Sequence, residues 1–275
     1  MKKLQTLLGL AVCGILLNIG LNASAASDPN GFATVVRVKG IAEYSLDAGA
    51  SWHPLVPGKY LNQGSWLRTS NGVVDVILGK AVDLPQAKWV PERISLAVDS
   101  PVRGMITYKP SAEQNVVRLM EHTVLAIDKL TTTSSYADTV SDTELDLKKG
   151  TIYASVKKLT GASQYLVKTP TGIAGVRGTQ FGIILNDDGT IKEVVVYHTQ
   201  DPSGGVVLAP NGATPPFVIA EGQMWTPGDV NPVPAPPALR NFLQLMFSAL
   251  RTIYIEVVNY DYDHTKVLES SDYGY

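Results

Sequence analysis

The sequence predicts an all-β fold: a sandwich or jelly-roll-like stack of short antiparallel strands, with one amphipathic helix near the C-terminus. Short runs rich in Val, Ile, Thr and Leu recur along the chain, separated by Gly, Pro, Asn and Asp. Charged residues make up only 17% of the chain, against 24 Gly and 17 Pro, a balance that favours strands and turns. A helical period emerges in one place only, beyond residue 238. At 275 residues, the length suits one large domain with appendages.

Residues 1–25 read as a processing segment. Lys2 and Lys3 give a positive start, Leu4–Leu21 is largely apolar, and Ala23-Ser24-Ala25 fits a small-residue cleavage site. The run is short for a spanning helix, so we expect cleavage after Ala25, an uncleaved anchor being the alternative. Val12 is too large for the residue before a lipidated cysteine, so Cys13 is not read as a lipid site. Loss of Lys2 and Lys3 moves the formal net charge from −2 to −4. Cys13 is the single cysteine, so the mature core has no disulfide support. The charge balance excludes a nucleic-acid partner.

Residues 26–32 form a polar leader. Strands follow at Ala33–Val38 and Gly40–Ser45, with a turn at Asp47-Ala48-Gly49. Trp52, Leu55, Gly58, Leu61, Gly64, Leu67 and Thr69 then recur at intervals of about three, a spacing that lays a loop flat against a sheet edge. Val73–Leu78 continues as a strand. Residues 79–114, punctuated by Pro91, Pro101 and Pro110, read as an insertion with strand-like pieces at Ile94–Val98 and Met105–Tyr108. It is either a binding surface or an inert loop. Strands resume at Val116–Leu119, Thr123–Leu130, Thr143–Leu147 and Thr151–Val156.

Val167–Ile183 is the stretch around which the chain is organised. Pro170 biases Thr169 toward extended geometry. Gly172, Gly175 and Gly178 punctuate a corner between two apolar segments, and Arg177 is the one charge between Lys168 and Asp187. Asp188-Gly189 between Ile183–Leu185 and Ile191–His198 signals a hairpin. Gly204–Leu208 and Pro216–Ala220 add strands. The β domain so defined runs over 33–227. Residues 228–238 read as a semi-rigid Pro-rich linker. Leu239, Phe242, Leu243, Met246, Leu250, Ile253, Tyr254 and Val257 predict a helix over 239–258, its second half weakened by β-branched residues. Residues 259–275 form a polar tail.

Thr169-Pro170 followed by Val176-Arg177-Gly178-Thr179-x-Phe181 resembles the signature of FecR-like domains, the periplasmic module of iron-citrate-type transmembrane regulators. The string from Trp52 to Thr69, the run Glu144-Leu-x-Leu147-x-x-Gly150-x-Ile152-x-Ala154-x-Val156 and the turn Ala220-Glu221-Gly222-Gln223 are similar to other parts of that domain. The resemblance covers roughly Val35–Pro227 and is silent on 79–114. It implies a non-enzymatic recognition module, in keeping with the β-sandwich reading. Regulators of this kind place an anti-sigma segment and a spanning helix before the domain. Here a signal segment precedes it, so we expect an exported version without those parts and do not carry sigma-factor control over.

His53, His122, His198 and His264 show no metal-ligand spacing, and Asp261, Asp263 and His264 read as a solvated tail. There is no Gly-x-Ser-x-Gly elbow, and Gly172-x-x-Gly175-x-x-Gly178 lacks the Lys-Ser/Thr end of a phosphate loop. Glu144 and Asp146 share one strand face, more in keeping with a solvated surface than with paired catalytic carboxylates. No catalytic residue, cofactor or metal is therefore expected. The candidate binding residues are Arg177, Thr179 and Gln180. Arg177 presents its guanidinium either to an anionic partner or to carbonyls left open by the glycine corner. The partner is an envelope protein or, alternatively, a polysaccharide read by Trp52, Trp66, Trp89 or Trp225. The C-terminal helix packs on its own sheet or forms a homodimer, the alternative being docking on a partner or a membrane surface. The expected location is periplasmic or secreted, without stable membrane insertion after cleavage.

Overall fold

The computed structural model describes residues 31–82, 84, 102–111, 114–134, 139–201, 204–211 and 215–259, with backbone alone for 102–107, 134 and 254–259. The processing segment, nearly all of the leader, Cys13, Trp89, the Ile94–Val98 strand, His264 and the tail beyond 259 lie outside the described residues.

In chain order the elements are β1 (Phe32–Lys39), β2 (Ala42–Ser45), β3 (His53–Pro54), β4 (Tyr60–Leu61), β5 (Trp66–Thr69), β6 (Val73–Gly79) and β7 (Val102–Tyr108). Next come β8 (Asn115–Leu119), β9 (Val124–Ser134), β10 (Thr139–Lys149), β11 (Thr151–Ser155), β12 (Gln164–Thr169), β13 (Gly172–Val176), β14 (Thr179–Leu185) and β15 (Ile191–Thr199). The chain continues with β16 (Val206–Pro210), β17 (Phe217–Ile219), β18 (Gln223–Trp225), β19 (Val233–Pro234), α1 (Pro237–Arg251) and β20 (Ile253–Asn259).

Two nine-stranded sheets form a sandwich. The front sheet has the order β17-β16-β13-β12-β10-β9-β5-β2-β3, and the back sheet β19-β18-β15-β14-β11-β8-β6-β1-β4. Alternation along each strand sends one set of side chains into the space between the sheets. Leu145, Leu147, Val167, Ile152, Phe181 and Ile183 meet there, each fully buried. Thr69 ties the sheets' turns together: its hydroxyl accepts from the Thr123 amide at 2.9 Å, while the Thr123 hydroxyl accepts from Thr151 N at 3.0 Å.

A second core lies on the outer face of the back sheet, where Val36, Ile77, Val116, Tyr153 and Val195 meet Leu243, Met246, Phe247 and Leu250 of α1. Those four helical residues recur at the spacing of one helix face. Phe247 stacks on Tyr197 (5.5 Å, 16°) and meets Tyr153 edge-on (6.4 Å, 87°). The Tyr153 ring lies over Gly182, its cross-strand partner, and a Cβ at Gly182 would fall 2.6 Å from Cε1. The glycine is therefore required by its neighbour. In the same row, Asp75 is fully buried and holds two guanidiniums. Arg118 donates from Nε (2.7 Å) and Nη2 (3.0 Å), and Arg37 Nε lies 2.8 Å away, off the hydrogen-bonding direction. Arg118 also donates to Met246 Sδ at 3.1 Å, joining this buried charge to the helix.

The all-β sandwich with a C-terminal helix stands as expected; several extents and pairings differ. The helix does not run over 239–258. It ends at Arg251, and Ile253–Asn259 is a strand paired antiparallel with β7 in a separate two-stranded ribbon. The β-branched residues that weaken the helix suit that pairing. The Pro-rich stretch is not merely a linker: Val233–Pro234 pairs with β18, and Ala235 is buried. Proline is tolerated there because the strand is an edge, and Pro237 opens the helix at a position needing no N–H. The insertion contributes β7. The signature holds three strands, not two, with a turn at Pro170-Thr171 and a corner at Arg177-Gly178 that takes the chain from the front sheet to the back. Finally, β10 and β12 pair in parallel, because β11 crosses to the other sheet between them.

Candidate recognition surface

Packing leaves the surfaces of the sandwich unequal. The outer face of the back sheet is covered by α1. The terminal strands of both sheets are two or three residues long: β3, β17, β4 and β19. Pro54 and Pro234 lie within them, and Pro216 directly precedes β17. Short, proline-bearing edges discourage pairing with another chain. No described element lies over the outer face of the front sheet.

Register places that face's residues in bands. At one side, Val218 stands opposite Val207, which stands opposite Gly175, which stands opposite Leu166. Ile173 lies beside them, and it, Val207 and Val218 are 41%, 46% and 49% exposed. The middle band is charged. Lys168 bridges Glu144 (2.6 Å) and Asp128 (3.4 Å), Lys129 pairs with Asp142, and Lys148 with Asp146. The hydrogen bond to Glu144 is the main cause raising the Lys168 pKa, and that to Asp142 does the same for Lys129. Both ammonium groups are solvated, so these pairs contribute little to stability and are salt-sensitive.

The far band is aromatic. Trp52 and Trp66 both pack on Gly49, whose φ is +90°. Arg68 lies over the Trp52 ring at 4.1 Å and bonds Glu43 at 2.6 Å, while Lys148 lies over Trp66 at 5.4 Å. The turn beneath is fixed by Asp47, which accepts from the Ser45 hydroxyl (2.6 Å) and the Ser51 amide (2.8 Å). Bonds from Ser45 and Ser51 hold the Asp47 carboxyl well below the usual carboxylate range.

The structure separates the three candidate binding residues. Arg177 is exposed at the corner just after β13, its Nη2 3.9 Å from where a Cβ of Gly161 would lie. Its guanidinium makes no hydrogen bond or ion pair among the described residues, so it does not tie down the corner's carbonyls; Thr179 Oγ1 donates to the Arg177 carbonyl at 3.0 Å instead. Thr179 is 1% exposed and serves the fold. Gln180 is half-buried and donates to Ser155 Oγ at 3.3 Å.

Glu144 and Asp146 do share a face, each bound to a lysine. Trp225 is buried, its Nε1 donating to the Asp229 carbonyl at 3.1 Å. His198 Nδ1 lies 3.1 Å from Glu221. Among the described residues no group of three His, Cys, Asp or Glu is placed to hold a metal ion, and no helix is long and apolar enough to cross a membrane. The exposure of Ile173, Val207 and Val218 is not evident from the sequence. The alternation of Ile173 and Gly175 with the apolar Ala174 and Val176 is the available signal.

The described residues define a two-sheet β-sandwich module with a helix over the outer face of one sheet and no described element over that of the other. A model of the FecR protein family matches residues 108–199, about a third of the chain. The match runs from the end of β7 to the end of β15, through the central strands of both sheets and the signature corner. It is narrower than the Val35–Pro227 span over which the sequence resembles the family. No curated protein matches the chain.

Proposed function

We propose that this chain is a non-enzymatic recognition module of the cell envelope that reads a protein partner with the outer face of its front sheet. The observation that carries this is the distribution of surfaces. The back face is packed under α1, the sheet edges are blunted, and the front face exposes Ile173, Val207 and Val218 beside a charged band. The match to the FecR protein family supports a signalling-related, regulatory role. The described tryptophans favour a protein over a polysaccharide: Trp225 is internal, and the half-buried Trp52 and Trp66 rings carry Arg68 and Lys148 beside them. The processing segment Lys2–Ala25 supports a periplasmic or secreted location.

The test is photo-crosslinking in native cells from Val207 and Glu144 on the front face and from Ala249 on the exposed side of α1. We expect a defined protein adduct from the front positions that disappears with Ile173→Asp. Adducts from Ala249 alone, or glycan adducts alone, would overturn the reading.

A further inference from the structure

Four glycines lie in or beside the signature, and the fold explains three. Gly178 sits at φ +63°, where other residues are strained. At Gly172 a Cβ would fall 3.1 Å from the Ala209 carbonyl oxygen and 3.2 Å from Pro210 Cα. At Gly182 it would meet the Tyr153 ring. Gly175 differs. It is not among the positive-φ glycines, and a Cβ there would find Leu166 Cδ2 at 3.7 Å, Val207 O at 3.8 Å and Val207 Cβ at 4.0 Å, ordinary contacts. Alanine fits. Glycine inside a strand weakens it by about 0.5–1 kcal/mol relative to alanine, so the bare position works against the fold.

Its surroundings are the residues whose exposure the fold also leaves unexplained. Leu166 and Val207 flank Gly175 as direct cross-strand neighbours, about 5 Å away. Ile173 precedes it on the same face, about 6.6 Å along β13, and Arg177 follows just beyond the strand, exposed at the corner. Val218 extends the rim beyond Val207. The result is a dimple with an aliphatic rim and one guanidinium that has no partner among the described residues.

We propose that the Gly175 dimple is a docking point for an extended segment of a partner protein, which seats one aliphatic side chain over Gly175 and a carboxylate on Arg177. This rests on the front-face reading above and assigns its specificity. The bare Cα admits the knob, the rim desolvates it, and Arg177 selects the charge by a bidentate hydrogen-bonded pair. The required pattern is an aliphatic residue with Asp or Glu close to it in sequence.

The test uses the full chain and a phage-displayed random dodecapeptide library, followed by fluorescence anisotropy with the selected peptides. We expect selected peptides to share the aliphatic–acidic pattern. Gly175→Val should weaken them at least tenfold, and Arg177→Glu should reverse the preference from acidic to basic peptides. Both variants should melt within about 2 °C of the parent, as for surface changes. Arg177 is exposed, so Arg177→Glu leaves the core untouched and remains decisive even if Gly175→Val folds poorly. Peptides that bind Arg177→Glu as well as the parent, no selected pattern, or self-association through this patch would overturn the proposal. If crosslinks from Val207 and Glu144 persist in such a case, the front-face reading stands and the dimple alone is refuted.

Discussion

Replacing Phe247 by alanine tests whether α1 is a separately docked cover on the back sheet. Phe247 is 1% exposed, with Tyr197 stacked on one side and Tyr153 edge-on at the other. Deleting a buried phenyl ring costs about 3–5 kcal/mol, including the cavity it leaves, with each aromatic pair supplying about 0.5–1.5 kcal/mol. Leu243, Met246, Phe247 and Leu250 are the helix's buried set, and each contributes about 1.5–3 kcal/mol on burial. The substitution therefore removes a large share of what holds the helix. We expect local undocking, read by hydrogen exchange. Amides of 237–259 should exchange faster by roughly two to three and a half powers of ten, while those of Leu145 and Val167 between the sheets keep their protection. Uniform acceleration across both sheets would show instead that helix and sandwich unfold as one unit. Unchanged exchange would refute the packing argument.

The other predictions concern the core, the corner and pH. Asp75→Asn leaves Arg118 buried without its counter-charge and should destabilise by about 3–5 kcal/mol in urea unfolding; adding Arg118→Met should recover part of the loss. Gly178→Ala should cost about 1–2 kcal/mol because its φ is +63°, whereas Gly175→Ala should be neutral or slightly stabilising; equal effects would refute the distinction between the two glycines. Burial raises the Glu193 pKa, so the folded state binds this proton more tightly than the unfolded chain. Stability then falls as pH rises from the ordinary glutamate range through the raised folded value. Glu193→Gln should raise the melting temperature modestly at pH 7, with the gain vanishing below about pH 4. Burial and the Glu193 charge push the Tyr153 phenol up to about 12, so an absorbance titration should show it ionising after the exposed tyrosines.

Strand existence and the two-sheet class were legible because alternation and turn chemistry are local. Asn186–Thr190 shows this: the Asp188-Gly189 signal is a tight turn, with Gly189 at φ +83° and Asn186 N bonding Thr190 O at 2.8 Å. Sheet membership was not legible. Nothing local says that β13 and β14 part company at Arg177-Gly178, or that β10 takes β12 as a parallel neighbour. The end of α1 is not legible locally, because Ile253, Tyr254 and Val257 satisfy a helical period as well as a strand. The choice is made by β7, remote in sequence. For the binding residues, Arg177 was identifiable as an isolated charge. Thr179 is internal to the corner, and the aliphatic exposure around Gly175 depends on which strands flank β13.

The pairing of β7 with β20 also sets an order of events. Its strands lie about 150 residues apart in the chain, and such distant closures are slow compared with neighbouring hairpins. A polypeptide emerging N-terminus first has every strand of both sheets available before Ile253–Asn259 appears. During that interval Val36, Ile77, Val116 and Val195 are bare, a sticky surface of the kind that holdase chaperones shield. Residues 237–259 thus act as the last clasp of assembly, and a chain cut short before them would carry a complete sandwich with an aggregation-prone back.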